Sequence, residues 1–199
     1  MPSDSIGIIL LAAGASVRLG AAKQLLEFQN QTLLRRSAEI AVQISVAVVV
    51  TLGARSELLR REIEDLPLAV VENEDWKQGM GGSAKIGLKK LLETNAELRG
   101  VIIMVCDQPF VSVDLLEKII AEFDEMNAPI IACQYASTLG VPALFAAELF
   151  PELLALKPAH GAKHLIKKHL SKTVAVPFPE GAFDIDTAAD YEKLLKNFA

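Results

Sequence analysis

The stretch IGIILLAAGASVRLGAAKQLL, residues 6–26, decides the fold of this chain. It opens as an unbroken apolar, β-branched run, which is typical of a strand buried on both faces of a parallel sheet. The run ends in a loop of glycine and alanine that carries Arg18 and Lys23, and a second apolar stretch follows. A buried strand that leads into a small-residue loop with two cations predicts an α/β sheet with an anion-binding site at its edge.

Strand-like and helix-like segments alternate along the rest of the chain. Strands are predicted at residues 6–13, 46–52, 68–72, 101–106 and 129–135, and helices at residues 31–43, 56–66, 82–93 and 113–126. This alternation predicts a three-layer α/β sandwich around a mostly parallel sheet. After residue 136 the rhythm changes to further helical stretches and a short strand, VAVPF, and we expect that part to fold over the sheet rather than extend it.

Length and charge limit the domain count and the kinds of partner. A chain of 199 residues fits a single domain, residues 1–199, and at this size about 70% of the surface of the unfolded chain is buried on folding. The net charge of −5 excludes the broad basic surface that non-specific nucleic-acid binding requires. We therefore expect a small-molecule partner and no nucleic acid.

Cysteine usage and the first apolar run indicate the cellular compartment. Cys106 and Cys133 lie in apolar, strand-like runs and lack the paired spacing of a zinc site, so we expect them to be buried and reduced. The apolar run that begins at Ile6 breaks at Gly14, far short of the roughly 20 residues that span a bilayer. These features predict a cytoplasmic protein without membrane attachment.

The loop after the first predicted strand has the properties of a phosphate site. Gly14 and Gly20 allow backbone N–H groups to approach a phosphate closely, and Arg18 and Lys23 can add charge-assisted hydrogen bonds. The glycine spacing fits neither a Walker A loop nor a Gly-x-Gly-x-x-Gly dinucleotide loop. The alternative is a tight strand-to-helix turn whose two cations lie in solvent.

Three further loops carry candidate side chains. Asp107 follows a predicted strand in the sequence CDQP, where it can ligate Mg²⁺ or form an Asx turn before Pro109. The loop WKQGMGGS, residues 76–83, precedes a helix and is a candidate part of the nucleotide site. Alternatively, it is only a flexible approach to a helix cap near Ser83. Asp184 and Asp186 stand in FDIDT, before a terminal helix with Thr187 as its expected cap; on a strand both carboxylates would face the same side.

Five stretches together resemble the MobA-like nucleotidyltransferases, and among these most closely the molybdenum cofactor cytidylyltransferases. They are LAAGASVRLGAAKQLL, NEDWKQGMGGSAKIGL, VCDQPFV, GVPALF and FDIDTAADYEKL. The resemblance implies a Rossmann-like sandwich of the nucleotide-diphospho-sugar transferase type. It also implies transfer of a nucleotidyl group from a nucleoside triphosphate to an acceptor phosphate, with Mg²⁺ and with release of pyrophosphate.

The resemblance also implies roles for individual residues. The catalytic residues would be Arg18, Lys23 and Asp107, and the metal ligands would be Asp107 and Asp186, with Asp184 as the alternative to Asp186. The nucleotide contacts would come from Leu11, Ala12, Ala13, Gly14, Asn73, Gly79 and Ser83.

One methyl group bears on the choice of base. Guanylyltransferase relatives carry a Gly-Gly pair in the first loop, whereas this chain has Ala13 before Gly14. The added methyl narrows the base pocket and favours CTP over GTP, although one methyl contributes only about 1 to 3 kcal/mol of discrimination.

The acceptor is open, because the chain departs from the family pattern where the acceptor binds. Gly140-Val141-Pro142 stands where cofactor-handling relatives commonly have Gly-His-Pro, and Lys163 stands where they tend to have arginine. Molybdopterin is therefore a hypothesis beside methylerythritol phosphate and a sugar phosphate. A different class of function is a non-catalytic module that holds a nucleotide or pterin for a molybdoenzyme partner.

Overall fold

The computed structural model describes residues 3–16 and 19–198, and its centre is a seven-stranded sheet. The strands of the chain are β1 (Ile6–Ala12), β2 (Glu27–Phe28), β3 (Gln31–Thr32), β4 (Val48–Leu52), β5 (Ala69–Glu72), β6 (Gly100–Val105), β7 (Ile130–Tyr135), β8 (Thr138–Ala146) and β9 (Thr173–Pro177). The helices are α1 (Leu33–Ile44), α2 (Ser56–Arg61), α3 (Met80–Thr94), α4 (Val113–Met126), α5 (Phe150–Leu154), α6 (Ala162–Lys168) and α7 (Ala188–Phe198). The order of strands across the sheet is β5-β4-β1-β6-β8-β7-β9.

Strand β1 lies inside the sheet and pairs in parallel on both sides. Ile8 stands opposite Val48 of β4 and Ile102 of β6, and all seven residues of β1 are buried. The continuous apolar run is explained by this position, because helices cover both faces of the strand. The predicted α/β fold with a mostly parallel sheet is confirmed.

Successive side chains of β1 point to opposite faces of the sheet. Ile8 and Leu10 pack with α1, α2 and α4 in one core cluster, whereas Ile9 and Leu11 pack with α3, α5 and α6 in the other. The three layers are therefore helices, sheet and helices, as the alternation predicts.

The prediction that the chain beyond residue 136 folds over the sheet rather than extending it is wrong for two strands, although α5 and α6 do pack on one face of the sheet. Strand β8 is inserted between β6 and β7 and runs antiparallel to both, and β9 extends the sheet beside β7. The turn between β7 and β8 consists of Ala136 and Ser137, both with left-handed φ of 46° and 59°. Such a hairpin turn usually carries Asn-Gly, so this one gives no sequence signal, and Pro142 further argues against a strand.

Several helix ends differ from the predicted ones for local reasons. Helix α1 begins at Leu33 because Thr32 caps it by accepting a hydrogen bond from the Arg35 N–H at 3.2 Å. Helix α2 ends at Arg61 instead of residue 66. Helix α3 begins at Met80, two residues before the predicted start, so Ser83 lies inside the helix and does not cap it.

A small third cluster fastens the segment before α7. It contains Phe28, Leu33, Ile185 and Leu194, and the Tyr191 hydroxyl donates to the Glu27 carbonyl at 2.7 Å. Thr187 caps α7 as predicted: its Oγ1 accepts from the Asp190 N–H at 3.3 Å, and the Asp190 carboxylate accepts from the Thr187 N–H at 2.9 Å. Across residues 3–16 and 19–198, no helix has both the length and the apolar character to cross a membrane.

Candidate active site

A cleft opens at the carboxyl ends of β1 and β6 and contains two adjoining pockets. The first pocket has about 580 Å³ of empty space, and the second has about 860 Å³. The residues common to both linings are Leu11, Met80, Val105 and Asp107. Asp107 therefore stands at the junction of the two pockets.

The first pocket collects most of the predicted nucleotide and catalytic residues. Its lining includes Leu11, Ala12, Ala13, Gly14, Lys23, Gly79, Ser83 and Asp107. Arg18 lies outside the described residues.

Lys23 joins two carboxylates from distant parts of the chain. Its Nζ is in ion-pair contact with the Asp107 carboxylate and lies 3.3 Å from Asp186 Oδ1. Burial on its own lowers the pKa of the Lys23 ammonium, but the charge and hydrogen bond of Asp107, with a contribution from Asp186, outweigh burial and raise that pKa. The ammonium is therefore positively charged at neutral pH.

The buried neighbour of Asp186, Ile185, fixes the position of Asp186 beside Lys23. Ile185 is fully buried in the third cluster, and its N–H donates to the Asp107 carbonyl at 3.2 Å. The neighbouring Phe183 ring packs edge-on against Phe110, with ring centroids 5.8 Å apart. Residues 183–186 form no strand, so Asp184 and Asp186 are not placed on one face as a strand would place them.

Asp184 belongs to the second pocket rather than to the contacts of Lys23. Its carboxylate lines the second pocket, whereas Asp186 is the partner of Lys23. Burial, followed by repulsion from Asp107 and Asp186, raises the pKa of Asp184 to about 6. The cleft thus holds three carboxylates in unequal environments.

Asn73 and Ser83 form a buried pair at the back of the first pocket. The Asn73 Nδ2 donates to Ser83 Oγ at 3.0 Å, and Thr51 Oγ1 donates to the Ser83 carbonyl at 3.2 Å. Ser83 lines the pocket, and Asn73 lies behind it and holds it in place. Asn73 therefore reaches the pocket only through Ser83.

Glycines at the start of α3 are required by close packing, not by flexibility. Gly79 has φ of +123°, and the Gly81 N–H donates to the Pro158 carbonyl at 3.0 Å. A methyl group on Gly81 would lie 2.2 Å from the His160 carbonyl oxygen. The start of α3 is thus fixed against residues 157–160, and the interpretation of this loop as a flexible approach is wrong.

The two residues at which the chain departs from the family pattern line the second pocket. They are Val141 and Lys163, and Gly140 lines the same pocket. The Tyr135 hydroxyl donates to the Val141 carbonyl at 3.1 Å, and Gln108 Nε2 donates to the Gly181 carbonyl at 3.2 Å. Here the pairing of β7 with β8 jumps from Ala132–Ala143 to Cys133–Gly140, so Val141 and Pro142 lie in a bulge.

Sequence reasoning missed several residues of the cleft. Met80 is 59% exposed and lines both pockets, but a methionine at a helix start carries no signal of its own. Trp76 also lines the first pocket. Gln24 lines the same pocket and is almost fully buried; its position directly after Lys23 is the only hint in the sequence.

Known proteins match this chain in sequence and in structure. The family model for the MobA-like NTP transferase domain matches residues 8–174. Purine catabolism protein PucB of Bacillus subtilis is 26% identical over 196 residues, 92% of this chain and 93% of that protein. Molybdenum cofactor cytidylyltransferase of Escherichia coli is 27% identical over 117 residues, 58% of each chain.

A solved structure covers nearly the whole chain. Rv0371c of Mycobacterium tuberculosis is 31% identical, has a TM-score of 0.79, and the match covers 99% of this chain and 100% of that one. Rv0371c is also known as a complex with manganese, with a TM-score of 0.76 and 29% identity over 97% of this chain and 99% of that one. With the family match and the sheet in agreement, the chain belongs to the MobA-like NTP transferase family and is a nucleotidyltransferase.

Proposed function

We propose that this protein transfers CMP from CTP to the phosphate of a small acceptor and releases pyrophosphate, and that the acceptor is molybdopterin or a molybdenum cofactor. The proposal rests mainly on the contact of Lys23 with Asp107 and Asp186 at the junction of the two pockets. Such a junction is where a bound triphosphate and a bound acceptor can meet. The first pocket takes the nucleotide, and the second takes the acceptor.

The chemistry needs charge stabilisation more than a covalent nucleophile. Nucleotidyl transfer spreads negative charge over the phosphate oxygens and the leaving pyrophosphate, so fixed cations lower its barrier. Lys23 provides one such cation from the described part of the cleft, and Arg18 is the second residue we assign to this role. A methyl group on Gly14 would meet nothing within 4 Å, so the space beside this backbone is open and a phosphate can approach it.

The acid pair suits a hard divalent cation. Asp107 and Asp186 offer only oxygen donors, and Mg²⁺ is commonly held by one or two carboxylates together with substrate phosphates. The similar protein Rv0371c is known as a complex with manganese, which supports the proposal of a divalent cation here. When bound, Mg²⁺ would polarise the phosphate oxygens and neutralise part of their charge.

The wall of the first pocket supports cytosine as the base. The Ala13 carbon Cβ and the Trp76 carbon Cβ both lie within 3 Å of the place where a methyl group on Gly53 would stand, at 2.9 Å and 2.7 Å. Ala13 and Trp76 therefore both pack against Gly53 at the end of β4, and both line the first pocket. The Ala13 methyl, which relatives with a Gly-Gly pair lack, takes up space in this pocket and favours the smaller pyrimidine.

The second pocket supports a phosphorylated acceptor with a partly apolar body. Lys163 is the basic side chain in its described lining and would bind the acceptor phosphate, whereas Ile103, Val105 and Val141 supply apolar surface. The absence of the family's histidine and arginine keeps methylerythritol phosphate and a sugar phosphate as competing acceptors.

The deciding experiment measures pyrophosphate release by the purified protein with Mg²⁺. CTP, GTP, ATP and UTP are tested in turn, each with molybdopterin, molybdenum cofactor, methylerythritol phosphate and a sugar phosphate, and each without acceptor. Turnover of CTP that requires molybdopterin or the cofactor would support the proposal. Turnover with another acceptor would reassign the substrate, and tight nucleotide binding without turnover on any of them would favour the binding module for a molybdoenzyme.

A further inference from the structure

We propose that Gln24 is the positioning residue of the nucleotide pocket, which fixes residues 12–16 in the conformation that accepts the triphosphate. The inference rests on the proposed function, because it assigns the phosphates to the first pocket. Gln24 is 1% exposed, and a buried amide of this kind is costly unless its polar atoms have partners.

The amide nitrogen of Gln24 holds two carbonyl groups of the loop. Its Nε2 donates to the Ala12 carbonyl at 3.0 Å and to the Gly14 carbonyl at 2.7 Å. The two N–H groups of the amide are both used, one for each carbonyl. A single side chain therefore ties the end of β1 to the glycine that follows it.

The amide oxygen of Gln24 closes a second link through Ser16. Ser16 Oγ donates to Gln24 Oε1 at 3.4 Å and accepts from the Lys23 N–H at 3.1 Å. Ser16 has a left-handed φ of 54°, which a non-glycine residue adopts only when its surroundings hold it. The network thus connects both sides of the loop to the turn that carries Lys23.

This arrangement controls which backbone groups can face a phosphate. A carbonyl oxygen directed at a phosphate would repel it, and the hydrogen bonds to Gln24 turn the oxygens of Ala12 and Gly14 elsewhere. Because each peptide unit is planar and trans, the N–H groups of Ala13 and Ala15 point to the side away from Gln24. The same contacts fix Lys23, the preceding residue in the chain, relative to the loop.

The test compares Gln24→Met with Ser45→Ala. Methionine keeps nearly the same volume but donates no hydrogen bond. Ser45 is the matched control, since it is also 1% exposed and donates to the Ile6 carbonyl at 2.6 Å, at the opposite end of the same strand. Dissociation constants of CTP and CMP are measured with Mg²⁺, together with thermal unfolding and hydrogen exchange of residues 10–16 without nucleotide.

We expect the ratio of CTP affinity to CMP affinity to fall about tenfold in Gln24→Met, because the ordering of the loop benefits the triphosphate most. Exchange of residues 10–16 should become faster. Ser45→Ala should lower the unfolding temperature and leave both readouts as in the wild type. If Gln24→Met does not fold, Gln24→Asn serves instead, since its shorter amide keeps the polarity but cannot span both carbonyls.

An unchanged CTP to CMP ratio with unchanged exchange would overturn the inference and leave the proposed function standing. Equal loss of CTP and CMP affinity would also overturn it, since a merely structural role predicts that result. Wild-type protein that binds none of the four triphosphates would overturn the proposed function and this inference together, so the two failures are distinguishable.

Discussion

The two pockets of the cleft are built in different ways. The first pocket takes much of its lining from residues 11–14 with Lys23 and Gln24, and the buried Gln24 side chain donates to the carbonyls of Ala12 and Gly14. The second pocket draws on β6, β7, β8, the start of α6 and the segment before α7. The first pocket is therefore set by local hydrogen bonds, and the second by how distant elements meet.

Asp107 lies on the boundary and gives the strongest test of whether the pockets act together. We expect Asp107→Asn to lower the rate of pyrophosphate release about 10³-fold, because it removes the proposed metal ligand and the main partner of Lys23. The measurement is single-turnover release with CTP, Mg²⁺ and the accepted substrate. Asp114→Asn is the control, since Asp114 is exposed in the first turn of α4. A fully active Asp107→Asn protein would exclude the metal assignment.

Glycine substitutions should separate the two pockets. Gly14→Ala places a methyl group in open space, so stability should stay the same while CTP binds about tenfold more weakly. Gly140→Ala places a methyl group 2.2 Å from the Tyr135 hydroxyl, which should cost about 1 to 3 kcal/mol of stability and leave CTP affinity almost unchanged. Urea unfolding and CTP titration measure both effects, and the reverse result would contradict the assignment of the pockets.

Lys163→Ala tests whether the second pocket alone binds the acceptor, and its expected effect on activity is smaller. The lysine lines only the second pocket, so we expect the KM for the acceptor to rise about fivefold, as for loss of one partly solvated charge contact, with the KM for CTP unchanged. Lys167→Ala, on the same helix but outside that lining, is the matched control. A rise in the KM for CTP alone would mean that the pockets are assigned the wrong way round.

The smallest expected effect concerns the thiol on β7, beside the second pocket. Burial raises the pKa of Cys133 to about 12, so the native thiol stays protonated at pH 8 and should react with an aromatic disulfide reagent far more slowly than in guanidinium. Unfolded chains release this proton near pH 9, before the native protein does, so Cys133 makes the free energy of unfolding fall as pH rises from about 9 to 12. Because Cys106 is the other thiol of the chain, the labelled residue is identified by peptide mapping, and rapid labelling of Cys133 at pH 8 would show that β7 opens.

The sequence predicts one pocket better than the other for a physical reason. Leu11, Gly14 and Lys23 are close in sequence and follow a buried strand, so a local pattern is enough to bring them together. The stretch FDIDT marks Asp184 and Asp186 as candidates, but it does not indicate that Asp186 lies beside Asp107, since that approach depends on the burial of Ile185. Gln24 was missed because its position after Lys23 is a weak hint, which does not distinguish a buried glutamine from an exposed one.

The limits of local sequence patterns also explain why the place of β8 in the sheet was not predicted. The parallel strands follow from continuous apolar runs, which need no knowledge of their partners. Strand β8 contains Gly140 and Pro142, and its turn consists of Ala136 and Ser137, so its local pattern argues against a hairpin. Its place in the sheet is decided by the open edges of β6 and β7, which only the assembled fold provides.

The contact of Gly81 with Pro158 gives the two pockets a common wall. The segment that receives this hydrogen bond continues into Gly161 and Lys163 of the second pocket, while Gly79 and Met80 beside it line the first. A nucleotide that shifts the start of α3 must therefore also move the acceptor's binding surface. Binding linkage is reciprocal, so whatever affinity the acceptor gains from a bound nucleotide, the nucleotide gains equally from a bound acceptor.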